Sequence, residues 1–201
     1  MTTQRLNTEV KTGIVRLVYP HLFEPQSFDD NAANAKYSVM ILIPKSDQAT
    51  LQAINQAYEN AKQNGINQYG QGFAAKATPL KRPVGSNQGL IRDADEWPDF
   101  QDNPDYQGHY IMSVKSTQAP LVMATEAGKK KLSTEEGKEL IYSGCYGRVK
   151  FSIFPYSKVG TGITSGLLTV LKTKDGDAIG GARGSINDFD DEFEQGLSDL
   201  L

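Results

Sequence analysis

Apolar and polar residues alternate along several short segments of the chain, and these segments are rich in β-branched and aromatic side chains. Alternation with a period of two is typical of a half-buried β-strand. About six strands are predicted in this way, over residues 13–19, 36–44, 108–117, 120–124, 140–157 and 162–174. The last two segments predict a long hairpin with its turn around residues 156–162.

One segment follows a helical period instead. Apolar residues recur at steps of three and four from Leu51 to Ala61, which predicts an amphipathic helix. Ser46 is a suitable N-cap, and Gly65 predicts the end of the helix. Residues 65–108 have no clear periodicity and are rich in Gly, Asn, Pro and Asp. Short strands and functional loops are therefore expected there.

The succession of strands favours a barrel or sandwich, because a parallel α/β sheet needs a helix after nearly every strand. The mainly β architecture that fits best is an OB-fold, a five-stranded Greek-key barrel with one helix and long loop insertions. This domain is predicted to span residues 1–187. Four glycines between residues 176 and 184 predict a flexible exit into a disordered tail, residues 188–201.

The formal net charge of the chain is -3, and its acidic residues are concentrated at the C-terminal end. The tail contains six acidic residues and no Lys or Arg, so the preceding body has 18 acidic and 21 basic residues. A mildly basic body indicates a polyanionic partner, and the acidic tail indicates an interaction arm. A solvated terminus without a role is the alternative for the tail.

The sequence contains little that predicts catalysis. Cys145 is the only cysteine, and its setting at the start of an apolar strand predicts a buried packing residue. The two histidines, His21 and His109, have no metal-ligand spacing. No phosphate-binding glycine loop or nucleophile elbow is present. We expect no catalytic residue, metal or cofactor, and the absence of a signal sequence or apolar span predicts a cytoplasmic protein.

Proteins that bind single-stranded nucleic acid need cations for the phosphates and flat rings for the bases. Alternation places Tyr146, Arg148 and Lys150 on one face of a strand, with an apolar row on the other. An ordinary half-exposed strand gives the same pattern. Lys115 is expected to be exposed by the same argument, as is Lys36.

Residues 73–110 interleave basic and aromatic side chains and are the most function-like part of the sequence. Such a loop could fold over a DNA strand. Its composition describes equally well a structural flap whose Trp97 fills a hydrophobic hole, and Tyr110 fits either a stacking ring or the core. The candidate DNA-binding residues are Arg16, Lys76, Lys81, Arg82, Arg92, Trp97, Tyr106, Tyr110, Lys115, Tyr146, Arg148 and Lys150.

Four blocks of the sequence resemble the tailed-phage DUF2815 family: residues 15–25, 36–47, 141–156 and 162–181. The blocks lie in order and are spread over residues 15–181. The resemblance implies a phage-encoded OB-fold protein that binds single-stranded DNA with little sequence specificity. It also implies action during DNA replication or recombination in the cytoplasm of the infected bacterial host. It does not indicate which side chains contact DNA.

The acidic tail is predicted to recruit replication proteins and to compete with DNA for the basic body. Its apolar residues recur at steps of four, four and three, so a helix would collect them on one stripe against a partner. The alternative is a phage interaction or inhibitor protein whose tail mimics DNA. The candidate partner-binding residues are Asp188, Phe189, Asp190, Asp191, Glu192, Phe193, Glu194, Leu197, Leu200 and Leu201.

Overall fold

A computed structural model describes residues 5–27, 31–128, 130–158 and 160–180. The predicted tail, residues 188–201, lies outside the described residues. The helices are α1 (Gln48–Tyr69) and α2 (Thr134–Leu140), with short 3-10 helices at Ala32–Asn34 and Gln71–Lys76. The strands are β1 (Glu9–Lys11), β2 (Val15–Gln26), β3 (Lys36–Pro44), β4 (Ile91–Asp93), β5 (His109–Ser116), β6 (Leu121–Ala124), β7 (Tyr146–Tyr156) and β8 (Gly162–Lys174).

Five of these strands close into a ring. In this ring β7 pairs with β2, β2 with β3, and β3 with β5, all antiparallel. Strands β7 and β8 form a long antiparallel hairpin. The ring closes where β5 and β8 pair in parallel at Lys115 and Gly166. The three short strands extend it: β1 pairs with β7, β4 with β5, and β6 with β8. The predicted mainly β fold is confirmed.

The predicted strands are all present, and the bounds of β3 and β8 agree with the prediction. The β2 strand continues to Gln26, whereas β7 begins at Tyr146 and not at residue 140. The prediction missed β1 and β4, because three residues are too few to show a period. It also missed α2, although the sequence contains the pattern of a capping box, with Ser133 as the N-cap and Glu136 three residues later.

Helix α1 departs from the prediction at both ends. Its N-cap is Asp47 and not Ser46, because the Asp47 carboxylate accepts a 3.0 Å hydrogen bond from the Thr50 backbone N–H. The helix also continues four residues beyond Gly65. Gly65 serves close packing there, since a side-chain carbon at this position would lie 2.2 Å from the Phe73 ring. The prediction that the helix ends at Gly65 is therefore wrong, because this glycine is required for close packing.

The main hydrophobic core fills the ring and the space under α1. Inward residues of the strands, such as Leu17, Ile41 and Phe151, are fully buried together with Ile54 and Ala61 of α1. A second, smaller cluster lies on the outer face of β2, β3 and β5, where residues 94–106 cover the sheet. Its buried members are Val18, Leu42, Ala94, Tyr106, Ile111 and Ile179. One side of the barrel surface is thus covered by part of the loop over residues 73–110, which the sequence analysis predicted to be functional or structural.

Within the described ranges, no helix is long and apolar enough to cross a membrane. The same residues contain no group of three or more His, Cys, Asp or Glu side chains that could hold a metal ion. Cys145 is buried in the main core, and burial raises the pKa of its thiol. That environment suits the packing role predicted for it, because a nucleophilic cysteine needs a lowered pKa.

Candidate nucleic-acid interface

A basic groove of about 630 Å³ crosses the outer surface where β5 meets β8. Four cationic side chains line it. Within the part of the chain that the structure describes, no Asp or Glu lines the groove. The cations are Lys36 at the start of β3, Lys115 near the end of β5, and Arg82 and Arg92 from the connection between α1 and β5. We call this surface the basic groove; the remaining side chains along it include Ser113, Ser152, Phe154, Thr164 and Leu168.

The cations of the basic groove are close enough to destabilise one another. Partial burial lowers the pKa of Lys115, and the positive charges of Lys36 and Arg92 lower it further. Burial likewise lowers the pKa of Arg92, and the charge of Arg82 adds to the effect, while Asp99 opposes it. Like charges held together without an acidic neighbour in the groove favour an anionic ligand that neutralises several of them.

Trp97 lies behind two of these cations. The guanidinium carbons of Arg82 and Arg92 lie 4.9 Å and 5.6 Å from the centre of its ring, and Arg92 also lies 5.1 Å from the Phe100 ring. Trp97 is only 7% exposed. Its ring faces are therefore used by protein groups, and the structural interpretation of this loop accounts for its position better than base stacking does.

Tyr106 is 2% exposed and packs in the outer hydrophobic cluster. Its ring stacks on Phe100 with 4.8 Å between centroids. Burial and the neighbouring Tyr19 hydroxyl raise the pKa of Tyr106. A stacking platform needs an accessible ring face. Tyr106 offers none in this structure, where it lies beneath the surface, and a direct base contact by this residue stays a prediction.

Arg16 is outside the basic groove. Its side chain is 10% exposed and pairs with Asp105 at 2.9 Å. Its Nε and Nη2 groups donate hydrogen bonds to the backbone oxygens of Gly144 and Asp177. All three guanidinium nitrogens are thus used to hold loops against β2, and a phosphate contact by Arg16 stays a prediction.

Arg148 and Lys150 lie on the outward face of β7, as alternation predicted, but they face β1. Arg148 donates a 2.9 Å hydrogen bond from Nε to the Thr12 backbone oxygen, and Lys150 forms a 2.8 Å ion pair with Glu9. The short strand β1 pairs with β7 at this point. These two cations therefore stabilise the pairing of β1 with β7. They do not line the basic groove, although Ser152 and Phe154 of the same outward row do.

The remaining cations predicted to contact DNA are also placed away from the groove lining. Lys81 forms ion pairs with Asp93 at 3.7 Å and Glu96 at 3.4 Å. Lys76 is exposed at the end of a 3-10 helix that follows α1. Of the eight cations predicted from sequence, the structure brings Arg82, Arg92 and Lys115 together.

The two other predicted aromatic residues are half-buried. Tyr110 packs against the main core, with the Lys45 ammonium 5.2 Å from its ring centre. Tyr146 is flanked by Arg16 at 5.7 Å and by Lys174 at 4.4 Å. Neither ring lines the basic groove.

Sequence reasoning missed several residues of this surface. Lys36 was expected to be exposed but was not counted as a DNA contact, and Phe154 continues the outward row of β7. Both could have been found from alternation. An adjoining hollow of about 350 Å³ shares Ser113 and Lys115 with the basic groove, and the two surfaces are continuous. The hollow is lined by Tyr19, His21, Ser38, Val39, Met40, Ser113 and Lys115.

A closed β-barrel with a continuous basic groove and an apolar hollow beside it defines a nucleic-acid-binding class of protein. The comparison with known proteins agrees. Residues 8–199 match the family described as Enterobacter phage Enc34, ssDNA-binding protein. Because the match extends over nearly the whole sequence, the chain belongs to this family.

Relatives of known sequence and structure cover most of the chain. Protein p50 of Acyrthosiphon pisum secondary endosymbiont phage 1 is 28% identical over 189 residues, and the match covers 91% of this chain and 93% of p50. The single-stranded DNA-binding protein from bacteriophage Enc34, solved in complex with ssDNA, is 28% identical with a TM-score of 0.70. That match covers 90% of this chain and 97% of the other.

A more distant structure shares the fold. The single-stranded DNA binding protein gp2.5 encoded by bacteriophage T7 is 17% identical, with a TM-score of 0.54 over 93% of this chain and 95% of its own. At this level of identity the similarity concerns architecture alone.

Proposed function

We propose that this chain is a phage single-stranded-DNA-binding protein that coats and protects single strands, with little sequence specificity, during DNA replication or recombination. The observation that carries the proposal is the basic groove, in which four cations and no acidic side chain line one continuous surface. Family membership supports it. The function requires binding alone, with no catalytic residue or cofactor, in the cytoplasm of the infected host.

The architecture that presents the groove is proposed to be an OB-fold. The closed ring of five strands supports this assignment, with β1, β4 and β6 as additions and α1 and residues 70–108 as insertions between β3 and β5. OB-folds bind oligonucleotides across a barrel face and its loops. The groove lies on such a face, because Lys36 and Lys115 project from neighbouring strands of the ring.

The proposed mechanism is electrostatic tracking of the backbone. Lys36, Lys115, Arg82 and Arg92 neutralise phosphates, and each neutralised phosphate releases condensed counterions. The logarithm of the affinity should therefore fall with the logarithm of salt concentration, at about -0.7 per phosphate on a single strand. Every base has a π face, so ring contacts add affinity without selecting a sequence.

The test is a fluorescence-anisotropy titration with oligo(dT) at two or more salt concentrations. Lys36→Ala/Arg92→Ala should weaken binding and make the salt slope shallower by about 1.4, which corresponds to two phosphates. Lys11→Ala/Lys138→Ala removes two exposed lysines that do not line the groove and is the matched control. If both double variants bind alike, or the unmodified protein binds without salt dependence, the proposal is wrong.

We also propose that the tail, residues 188–201, recruits phage or host replication proteins and competes with DNA. Its six acidic residues and the lack of any Lys or Arg after Arg183 support an electrostatic role. Deleting the tail should leave DNA binding equal or tighter. A protein that acts by mimicking DNA with its tail would instead lose its activity on deletion, which separates the two functions.

A further inference from the structure

Strand β2 contains an irregularity beside the basic groove. Val18 pairs with Met40 and His21 with Ser38, so Tyr19 and Pro20 together lie opposite Val39 alone. This is the geometry of a β-bulge, which re-aims a side chain and often occurs next to a functional site. Tyr19 has φ of 47°, in the left-handed region that a tyrosine seldom adopts. The backbone is therefore strained where it directs this one ring outward.

The bulge leaves the Tyr19 ring on the outer face of the barrel, 50% exposed. Its phenol group lies beside that of Tyr106, close enough to help raise the pKa of Tyr106. Tyr106 in turn is buried and stacked on Phe100. The exposed ring is thus next to a buried one at its hydroxyl end. Such a neighbour limits the rotation of the Tyr19 side chain, so a ligand has less freedom to remove on binding.

The hollow beside Tyr19 has apolar walls and a polar rim. The Met40 side chain and the Tyr19 ring contribute apolar surface, while His21, Ser38 and Ser113 contribute polar groups. Lys115 lines both the hollow and the basic groove. A phosphate held by Lys115 would place a neighbouring base of the same strand at the hollow.

We propose that this hollow is a nucleobase subsite, in which one base of the bound single strand stacks on the ring of Tyr19. Tyr106 is its positioning residue. The inference rests on the proposed function and adds to it a site for a base, where the basic groove supplies sites for phosphates only. Because stacking uses the π face, the subsite accepts any of the four bases.

The test compares two probes with the same phosphates: oligo(dT) and an oligomer of equal length made of abasic deoxyribose units. Tyr19→Leu should lower the affinity for oligo(dT) about five- to 150-fold. It should leave the affinity for the abasic oligomer and the salt slope unchanged. Tyr69→Leu, which alters another exposed tyrosine on α1, is the matched control and should leave both affinities unchanged.

Each outcome has a defined meaning. Equal losses on the two probes, or no loss on either, would overturn the subsite while the proposed function stands. Failure of the unmodified protein to bind either probe in a salt-dependent way would instead overturn the proposed function. Tyr106→Phe keeps the buried ring and removes its hydroxyl, so it should cause a smaller loss that is confined to oligo(dT).

A second measurement uses the unmodified chain and therefore does not depend on the folding of a variant. An oligomer containing 5-iododeoxyuridine should form a photocrosslink to the peptide that carries Tyr19 when irradiated in complex. Crosslinks that map only to other peptides would overturn the subsite.

Discussion

The guanidinium carbon of Arg82 lies 4.9 Å from the ring centre of Trp97, and that of Arg92 lies 5.6 Å from the same ring. Two like charges are thus held on one buried aromatic side chain. The ring quadrupole attracts both cations and offsets part of their mutual repulsion. Trp97 therefore connects the small outer hydrophobic cluster to the electrostatics of the basic groove, although the ring itself is almost inaccessible.

Replacing Trp97 tests this connection. Trp97→Leu should weaken oligo(dT) binding several-fold, because each desolvated cation–π contact contributes about 1–2 kcal/mol to holding an arginine in place. Trp97→Phe keeps an aromatic face and should retain most of the affinity. Anisotropy titrations at fixed salt measure both.

Loss of stability alone could also weaken binding, so the control is a core variant of similar stability. Tyr58→Leu alters a buried residue of α1 that does not line the groove. With melting temperatures matched, it should bind normally. If Tyr58→Leu binds as weakly as Trp97→Leu, the cation–π explanation is wrong.

Binding should depend on pH through Lys115. Burial and the charges of Lys36 and Arg92 lower the pKa of this lysine, so it loses its proton below the ordinary value of about 10.4. A bound phosphate favours the protonated form. Affinity for oligo(dT) should therefore fall as pH rises through the lowered pKa, and Lys115→Arg should show a smaller fall.

The lowered pKa of Lys115 affects the pH dependence of folding stability in the opposite direction. In the pH range between the lowered pKa and the ordinary one, the unfolded chain binds more protons at Lys115, so stability rises with pH. Urea unfolding of the unmodified protein and of Lys115→Arg over this range isolates the contribution. A stability difference that does not change with pH would contradict the lowered pKa.

The strands could be predicted from sequence because alternation is a direct consequence of burying one face of a sheet. In β7 every second residue from Gly147 to Pro155 is buried, as the pattern required. The ring closure could not be predicted, since the β5–β8 contact joins residues about fifty positions apart at a single pair. No local pattern encodes such a contact.

The candidate site was predicted only in part, for a reason visible at Arg16 and Tyr19. Both lie in β2, yet Arg16 is held by Asp105 and two backbone oxygens from distant loops. Tyr19 is directed outward by a bulge that depends on the register with β3. Composition identifies cations and rings, but only tertiary contacts decide which of them remain available to a ligand.

Gly65 provides a test of packing at the end of α1. Gly65→Ala should destabilise the protein by about 1–3 kcal/mol, because the new carbon would lie 2.2 Å from Phe73. Alanine's higher helix propensity, about 1 kcal/mol, offsets only part of this. Gly72→Ala is the matched control, since no atom lies within 4 Å of an added carbon there. Urea denaturation should separate the two; equal midpoints would contradict the packing argument.

Lys172 is a buried cation whose partners are at the surface. It is 2% exposed and forms ion pairs with Glu126 and, at 2.8 Å, with Asp175. Hydrogen bonds from Lys172 lower the pKa of both carboxyl groups. Their contribution to stability is therefore present above the ordinary carboxyl pKa and is lost as pH falls through the lowered values.

Lys172→Met removes the charge while keeping most of the side-chain volume. The free energy of unfolding of this variant should therefore decrease less as the pH falls, and we call this part of the curve its acid limb. The double variant Glu126→Gln/Asp175→Asn leaves the buried ammonium unpaired. It should cost more stability at neutral pH than Lys172→Met does, because a buried charge without its carboxylate partners is worse than no charge. Thermal melts between pH 3 and 7, a range that spans the ordinary carboxyl pKa of about 4, measure both effects. If the acid limb of Lys172→Met matches that of the unmodified protein, the ion pairs do not contribute to acid sensitivity.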